Sequence, residues 1–284
     1  MKKTVTHKVL LENEMYWREH TETLVKQGHF IKLALEEKAD MIWKSYMYNL
    51  KRGTVKFLLN ACLDTLPTQT NLLQWGKSSS DLCKLCLRAG AELQGRRKET
   101  TNHILNGCKV ALHQNRYTWR HNNVLHYIYN AVDQSKCKIY ADLPNRSLPE
   151  GGTIPPYHCI TAERPDIVII EREKMYIYEL TIPMELNICS SHERKMDKYE
   201  HFMRDITDIE VTIIPIEIGA RGFISTSNKA NLRKLHQYNK STLCFKTFCE
   251  NLSSLALLSS YYIFSKRKSS DWDQETTYLK PNFV

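Results

Sequence analysis

The chain has 284 residues, with 40 Lys and Arg against 31 Asp and Glu, a formal net charge of +9 and an isoelectric point near 9.0. That balance favours a polyanionic partner, nucleic acid first, and the ordinary hydrophobic fraction of 42% calls for a packed core. The best apolar stretch, Leu252 to Phe264, is broken by Ser253, Ser254, Ser259 and Ser260, which excludes a bilayer span, and the N-terminus lacks the apolar run of a secretory signal.

Residues 1–78 read as a helical segment. Lys8 to Lys51 contains no Pro and only Gly28, and Met41, Ile42, Tyr46 and Leu50 recur at helical spacing. Gly28 is expected to separate two helices, and Gly53 to break the pattern before a third over Val55 to Leu63. Lys51, Arg52 and Lys56 read as solvated surface ahead of phosphate contacts. Pro67 and the run Lys77-Ser78-Ser79-Ser80 mark the end of this segment.

Residues 79–130 hold a candidate zinc knuckle. Cys83, Cys86, His103 and Cys108 follow the order C-x2-C-x16-H-x4-C. Two close thiolates followed by a close His/Cys pair can close a tetrahedral zinc site, and four protein ligands leave no open position, so the site is expected to be structural. His113 and His121 stand as rivals to His103. The flanks are basic, with Lys84, Arg88, Arg96, Arg97, Lys98 and Lys109. Nine cysteines, an odd and unevenly spaced set without an export signal, point to free thiols and metal ligands in place of disulfides.

Residues 131–265 change character, and 266–284 read as a tail. A turn-rich connector from Leu143 to Pro156 leads to Ile167-Val168-Ile169-Ile170, then Met175 to Ile182, then Val211 to Ile218. These read as three strands, with Pro215 arguing for an edge or a bulge. Between the last two, Ser190 and Glu193 suggest a capping-box start to a helix running to about Ile206, and a longer helical stretch follows Asn228.

The sharpest signal lies in the first two strands. Arg164-Pro165-Asp166 is followed, after twelve residues, by Glu179. A hairpin closed around Arg172 and Glu173 sets Asp166 opposite Glu179 on one face. Facing carboxylates repel unless a cation lies between them, and Mg²⁺ is held by one or two carboxylates plus phosphate oxygens and water. Such an ion can activate water and stabilise the leaving oxygen of a phosphodiester. Lys195 and Tyr199, four apart on the following helix, could lean over that site, with Lys198 beside them. Glu185 is a reserve carboxylate and Asp205 a poorer one; Glu217 reads as structural; Arg164, Lys198 and Arg221 are candidate phosphate contacts.

The order of these motifs resembles the C-terminal part of site-specific non-LTR retrotransposon polyproteins, whose endonuclease resembles type II restriction enzymes of the PD-(D/E)xK fold. Arg164-Pro165-Asp166 and Glu179 match that family's acidic motif, and Lys195 and Tyr199 match its displaced lysine with a tyrosine four residues on. Leu66-Pro67-Thr68 with Asn71-Leu72, Glu99-Thr100 before His103, and Arg120-His121-Asn122 resemble stretches flanking its knuckle and favour His103 as the ligand. The resemblance implies an α/β restriction-endonuclease-like core with a mixed sheet. It also implies a Mg²⁺- or Mn²⁺-dependent DNA endonuclease with structural Zn²⁺, acting in the nucleus. DNA is the expected partner and element RNA a second candidate. Tyr140-Ala141-Asp142-Leu143 lacks the second aspartate of a polymerase box, so the chain would supply the nick but not the polymerisation. The alternative is a zinc-dependent DNA- or RNA-binding fragment that does not cleave.

Overall fold

The computed structural model describes all residues except 1, 25–26, 37–41, 90–96, 160, 162, 204–205, 207, 274–277 and 282–284. Met41, Arg96 and Asp205 therefore lie outside the described residues, as does the side chain of Lys198.

The N-terminal segment is helical. Helices α1 (Lys2–Thr23) and α2 (His29–Glu36) are separated at Gly28, but Gly53 lies inside the first turn of α3 (Arg52–Cys62) and does not break the pattern before Val55 as expected. α1 leaves Val9, Leu10, Met15 and Trp17 exposed, whereas Phe30 of α2 and Phe57 and Leu58 of α3 are buried. The short helix α4 (Gln69–Gln74) is capped by Thr68, whose side chain accepts from the Asn71 amide. Asn71 in turn donates to the carbonyls of Asp64 and Leu66, and buried Glu99 accepts from the Gln69 amide. The Leu66-Pro67-Thr68 and Glu99 motifs thus bind the helical segment to the knuckle.

In the knuckle, α5 (Lys84–Arg88) begins directly after Cys83, a π-helical turn spans His103–Gly107, and α6 (Lys109–His113) follows Cys108. An antiparallel bridge between Leu82 and Lys98 closes its base. The next helix, α7 (Arg116–Ala131), belongs to the sheet's core. Its Val124, Leu125 and Ile128 pack with Ile167, Ile169, Leu180 and Ile216.

The sheet has four strands in the order β1-β2-β3-β4: β1 (Lys138–Ala141), β2 (Ile167–Glu171), β3 (Lys174–Thr181) and β4 (Glu210–Glu217). β1 was not among the three strands expected from sequence. It is four residues long and starts on an exposed lysine, so it offers almost no alternation to read. β1, β2 and β3 run antiparallel in turn, and β4 returns parallel to β3 after helix α8 (Ile188–Met203). Pro215 is tolerated because β4 is an edge strand. Strand parity gives the sheet two covered faces. One buries Ile167, Ile169, Tyr178, Leu180, Ile214 and Ile216 under α7, α9 (Thr226–His236) and α10 (Phe245–Ser265). The other buries Val168, Ile170, Met175 and Ile177 with Tyr199 of α8.

Two helix boundaries differ from the sequence reading. α8 starts at Ile188, after a 3-10 turn over Glu185–Asn187, so Ser190 lies inside the helix and donates back to the Asn187 carbonyl instead of capping. The stretch after Asn228 divides into two helices, α9, capped by Ser225, and α10. α10 is the pillar of the molecule. Its Leu252 and Leu255 face the sheet's core, and its Leu257 and Phe264 pack with Phe57, Leu58, Ile104 and Leu105. The serines that interrupt its apolar run are fully buried and hydrogen-bonded in part: Ser253 donates to the Gly222 carbonyl, and Ser260 accepts from Arg120. Among the described residues no helix is long and apolar enough to cross a membrane.

Candidate metal centre and carboxylate cleft

The β2–β3 hairpin turns at Arg172 and Glu173, with Glu171 opposite Lys174 and Ile167 opposite Tyr178. One step further along the same register, Asp166 faces Glu179. Both share strand parity with Val168, Ile170, Met175 and Ile177, so both project onto the face that α8 covers. The two side chains interlock at the end of the sheet. The Asp166 amide donates to Glu179 Oε1 at 3.2 Å, and Asp166 Oδ2 accepts from the Leu180 amide at 2.8 Å.

α8 supplies the cation. Lys195 Nζ hydrogen-bonds Glu179 Oε2 and lies 3.6 Å from Asp166 Oδ2. One turn on, Tyr199 hydrogen-bonds Glu179 from a buried position. The sequence reading offered Tyr199 as a guide for the lysine or a phosphate contact. At 1% exposure it reaches no solvent-borne phosphate, and its hydroxyl braces Glu179 instead. A residue that the spacing did not find completes the cluster: His121 of α7, whose Nε2 lies 3.3 Å from Asp166 Oδ1. The sequence offers it as a rival zinc ligand and as the middle of the Arg120-His121-Asn122 triplet, with no link to the carboxylates.

The electrostatics follow from crowding. Burial pushes Asp166 up, but His121 and Lys195 outweigh it and hold the carboxyl at about 2. Burial and the charge of Asp166 push Glu179 up to about 7, against the pull of Lys195 and Tyr199. Burial pulls the Lys195 ammonium down, but its two carboxylate neighbours raise it overall. The charge of Asp166 still raises Glu179, and the pair's oxygens are hard donors that suit Mg²⁺ or Mn²⁺ with water completing the shell. The site opens into a cleft of about 770 Å³, walled by Asn106, Tyr117, Arg120, Asn187, Ser191 and Arg194 among others. Arg164 stands near the site beside Asp142, with which it pairs at 2.5 Å, and its side chain is 57% exposed.

Other candidates are committed elsewhere. Arg221 is not a phosphate contact: it is buried, its Nε lies 2.6 Å from Glu185 Oε2, its Nη1 donates to the Ala61 carbonyl, and its guanidinium lies 4.2 Å from the Phe30 ring centre. The same pair removes Glu185 as a reserve ligand. Glu217 pairs with His192 at 2.9 Å, a structural role.

The second centre is the knuckle. The ligand atoms of Cys83, Cys86, His103 and Cys108 lie within 4.8 Å of one another. Cys86 Sγ is 3.6 Å from Cys108 Sγ and 3.4 Å from His103 Nε2. A tetrahedral zinc with Zn–S of about 2.3 Å and Zn–N of about 2.0 Å needs ligand–ligand edges of roughly 3.5–3.8 Å, so the cluster fits. The thiols meanwhile share protons. Donation to Cys108 pushes Cys83 up and Cys108 down, and burial beside Cys108 pushes Cys86 up. A soft divalent cation relieves that crowding by taking all three as thiolates. His113 is exposed on α6 and His121 faces Asp166, so neither joins the cluster. Lys84, Arg88, Arg97, Lys98 and Lys109 form an exposed basic flank, within which Lys98 pairs with Asp81.

No protein-family model matches the chain, and no curated protein matches its sequence.

Proposed function

We propose that the chain is a metal-dependent DNA endonuclease that nicks target DNA for insertion of a non-LTR retrotransposon. The observation that carries the reading is that Asp166 and Glu179, from facing ends of adjacent strands, reach the same Lys195 ammonium, and that Asp166 and Lys195 line an open cleft with Glu179 buried behind them. A mixed sheet covered by helices on both faces is in keeping with a restriction-endonuclease-like core. Asp166 and Glu179 would hold Mg²⁺ or Mn²⁺. When bound, that ion supplies a polarised water at neutral pH and charge stabilisation for the leaving oxygen. Lys195 balances the charge of the carboxylates and of an incoming phosphate, and Tyr199 fixes the Glu179 rotamer. Arg164, at the exposed entrance to Asp166, contacts the DNA backbone. Zn²⁺ at Cys83, Cys86, His103 and Cys108 holds the knuckle, whose basic flank adds sequence-independent affinity. The protein would act in the nucleus, with DNA and secondarily element RNA as partners.

A second reading is favoured by the Cys₃His cluster itself: a zinc-dependent DNA- or RNA-binding module that does not cleave. Nicking of supercoiled plasmid separates the two. The endonuclease reading expects Mg²⁺-dependent nicking that falls at least about 100-fold in Asp166→Asn and Glu179→Gln, while zinc content and DNA binding persist. Equal nicking by wild type and Asp166→Asn sinks the catalytic assignment. Zinc-dependent binding without any nicking establishes the second reading.

A further inference from the structure

We propose that His121 is a positioning residue of the carboxylate site, and that its Nε2–H sets the affinity of Asp166 and Glu179 for their divalent cation. The inference rests on reading those two residues as cation ligands.

The argument begins with which ring nitrogen carries hydrogen. His121 Nε2 lies 3.3 Å from Asp166 Oδ1 and 3.3 Å from the Leu180 carbonyl oxygen. A carboxylate and a peptide carbonyl offer only lone pairs, so the hydrogen in both contacts belongs to Nε2. Nδ1 faces the Asn122 side-chain amide at 3.1 Å, a group that serves either tautomer by rotating. The imidazole is thus a donor toward Asp166 whatever its charge.

Asp166 is then gripped at both oxygens from one residue outward. The Leu180 amide donates to Oδ2, the Leu180 carbonyl accepts from His121, and His121 donates to Oδ1. That arrangement fixes the carboxylate plane and leaves the remaining lone pairs for Lys195 and the cleft. The backbone behind His121 is equally fixed. Its neighbour Arg120 is buried and donates to the Ile182 carbonyl at 2.9 Å and to Ser260 Oγ at 3.0 Å. Ile182 directly follows β3, so α7 is locked to the strand that carries Glu179. A histidine serving packing alone would have apolar neighbours; this one directs its N–H to a carboxylate in a cleft wall, with 23% of its side chain exposed. Outer partners of this kind orient metal-binding carboxylates, and their loss costs about 10–100-fold in metal affinity.

The test is Mn²⁺ binding to the zinc-loaded full chain, followed by electron paramagnetic resonance without DNA, in wild type, Asp166→Asn, His121→Leu and His121→Gln. Glutamine places an amide N–H near the position of Nε2. We expect His121→Leu to weaken Mn²⁺ binding about 10–100-fold and His121→Gln to recover most of it, with the melting temperature of His121→Gln unchanged. Wild-type affinity in His121→Leu, or a loss in His121→Gln as deep as in His121→Leu, overturns the proposal. Should His121→Leu fail to fold, His121→Gln decides alone: near-wild-type affinity supports the proposal and a loss overturns it. Mn²⁺ binding that survives Asp166→Asn removes the cation site itself, and the His121 proposal with it. Binding abolished by Asp166→Asn but spared by His121→Leu removes the His121 proposal alone.

Discussion

Glu185 and Arg221 are sealed from water on both sides, with side-chain exposures of 0% and 7%. The carboxylate accepts from both the backbone amide and the Nε of Arg221, and the guanidinium rests on Phe30 and donates to the Ala61 carbonyl. Removing one partner strands the other in a medium that cannot solvate it. Arg221→Met should destabilise the fold by about 3–5 kcal/mol, and adding Glu185→Gln should recover part of that loss. Equilibrium denaturation of the single and double variants checks this, and a single variant within 1 kcal/mol of wild type, roughly the scale of an exposed pair, would refute the buried geometry. This residue also shows a limit of the sequence. An arginine beside a glycine after a strand looks the same whether it faces solvent or a buried glutamate. Asp166 and Glu179 were legible because a hairpin's pairing is arithmetic. His121 was not, because its contact joins a helix to a strand 45 positions away, as 166 less 121 gives.

At the scale of elements, the β2–β3 hairpin sets Asp166 opposite Glu179, but its turn is not optimal. Arg172 sits at φ 54°, in the left-handed region where a Cβ approaches the carbonyl oxygen. Glycine has no such conflict, although it loses more entropy on folding. Arg172→Gly should therefore stabilise the protein by up to about 1 kcal/mol without altering the face that Asp166 and Glu179 share. A thermal melt checks the sign, and a clear destabilisation would mean that the arginine side chain makes a contact worth more than the backbone strain. The strands of this hairpin were visible from sequence because residues 167–170 are β-branched throughout and residues 175–182 are rich in Tyr and Ile. The start of α8 was misplaced because a serine and a glutamate at capping spacing attract the eye. The chain instead begins the helix at Ile188, ahead of the expected cap, from a 3-10 turn.

At the scale of the whole molecule, the segments seen in the sequence share contacts that a linear reading cannot show. Composition marked a helical segment, a knuckle and a β-rich region, but α10 packs against the cores of both the sheet and the helical segment. The knuckle also reaches the cleft directly. Asn106, between the ligands His103 and Cys108, donates to the Ile182 carbonyl at 3.1 Å and accepts from Arg120. The π-helical turn that presents Asn106 is an uncommon geometry, flanked by His103 and Cys108 of the Cys₃His cluster. Zinc would therefore brace the exit of β3 as well as the knuckle. If the knuckle were an independent module, chelation would raise amide exchange only around residues 81–115. The shared contacts predict more: exchange should also rise at the Ile182, Met184 and Arg120 amides, while Ile169 and Ile177 in the middle of the sheet stay protected. Hydrogen–deuterium exchange with and without a zinc chelator measures this. Protection at Ile182 and Met184 unchanged by zinc removal would show that the cleft stands without the knuckle's support.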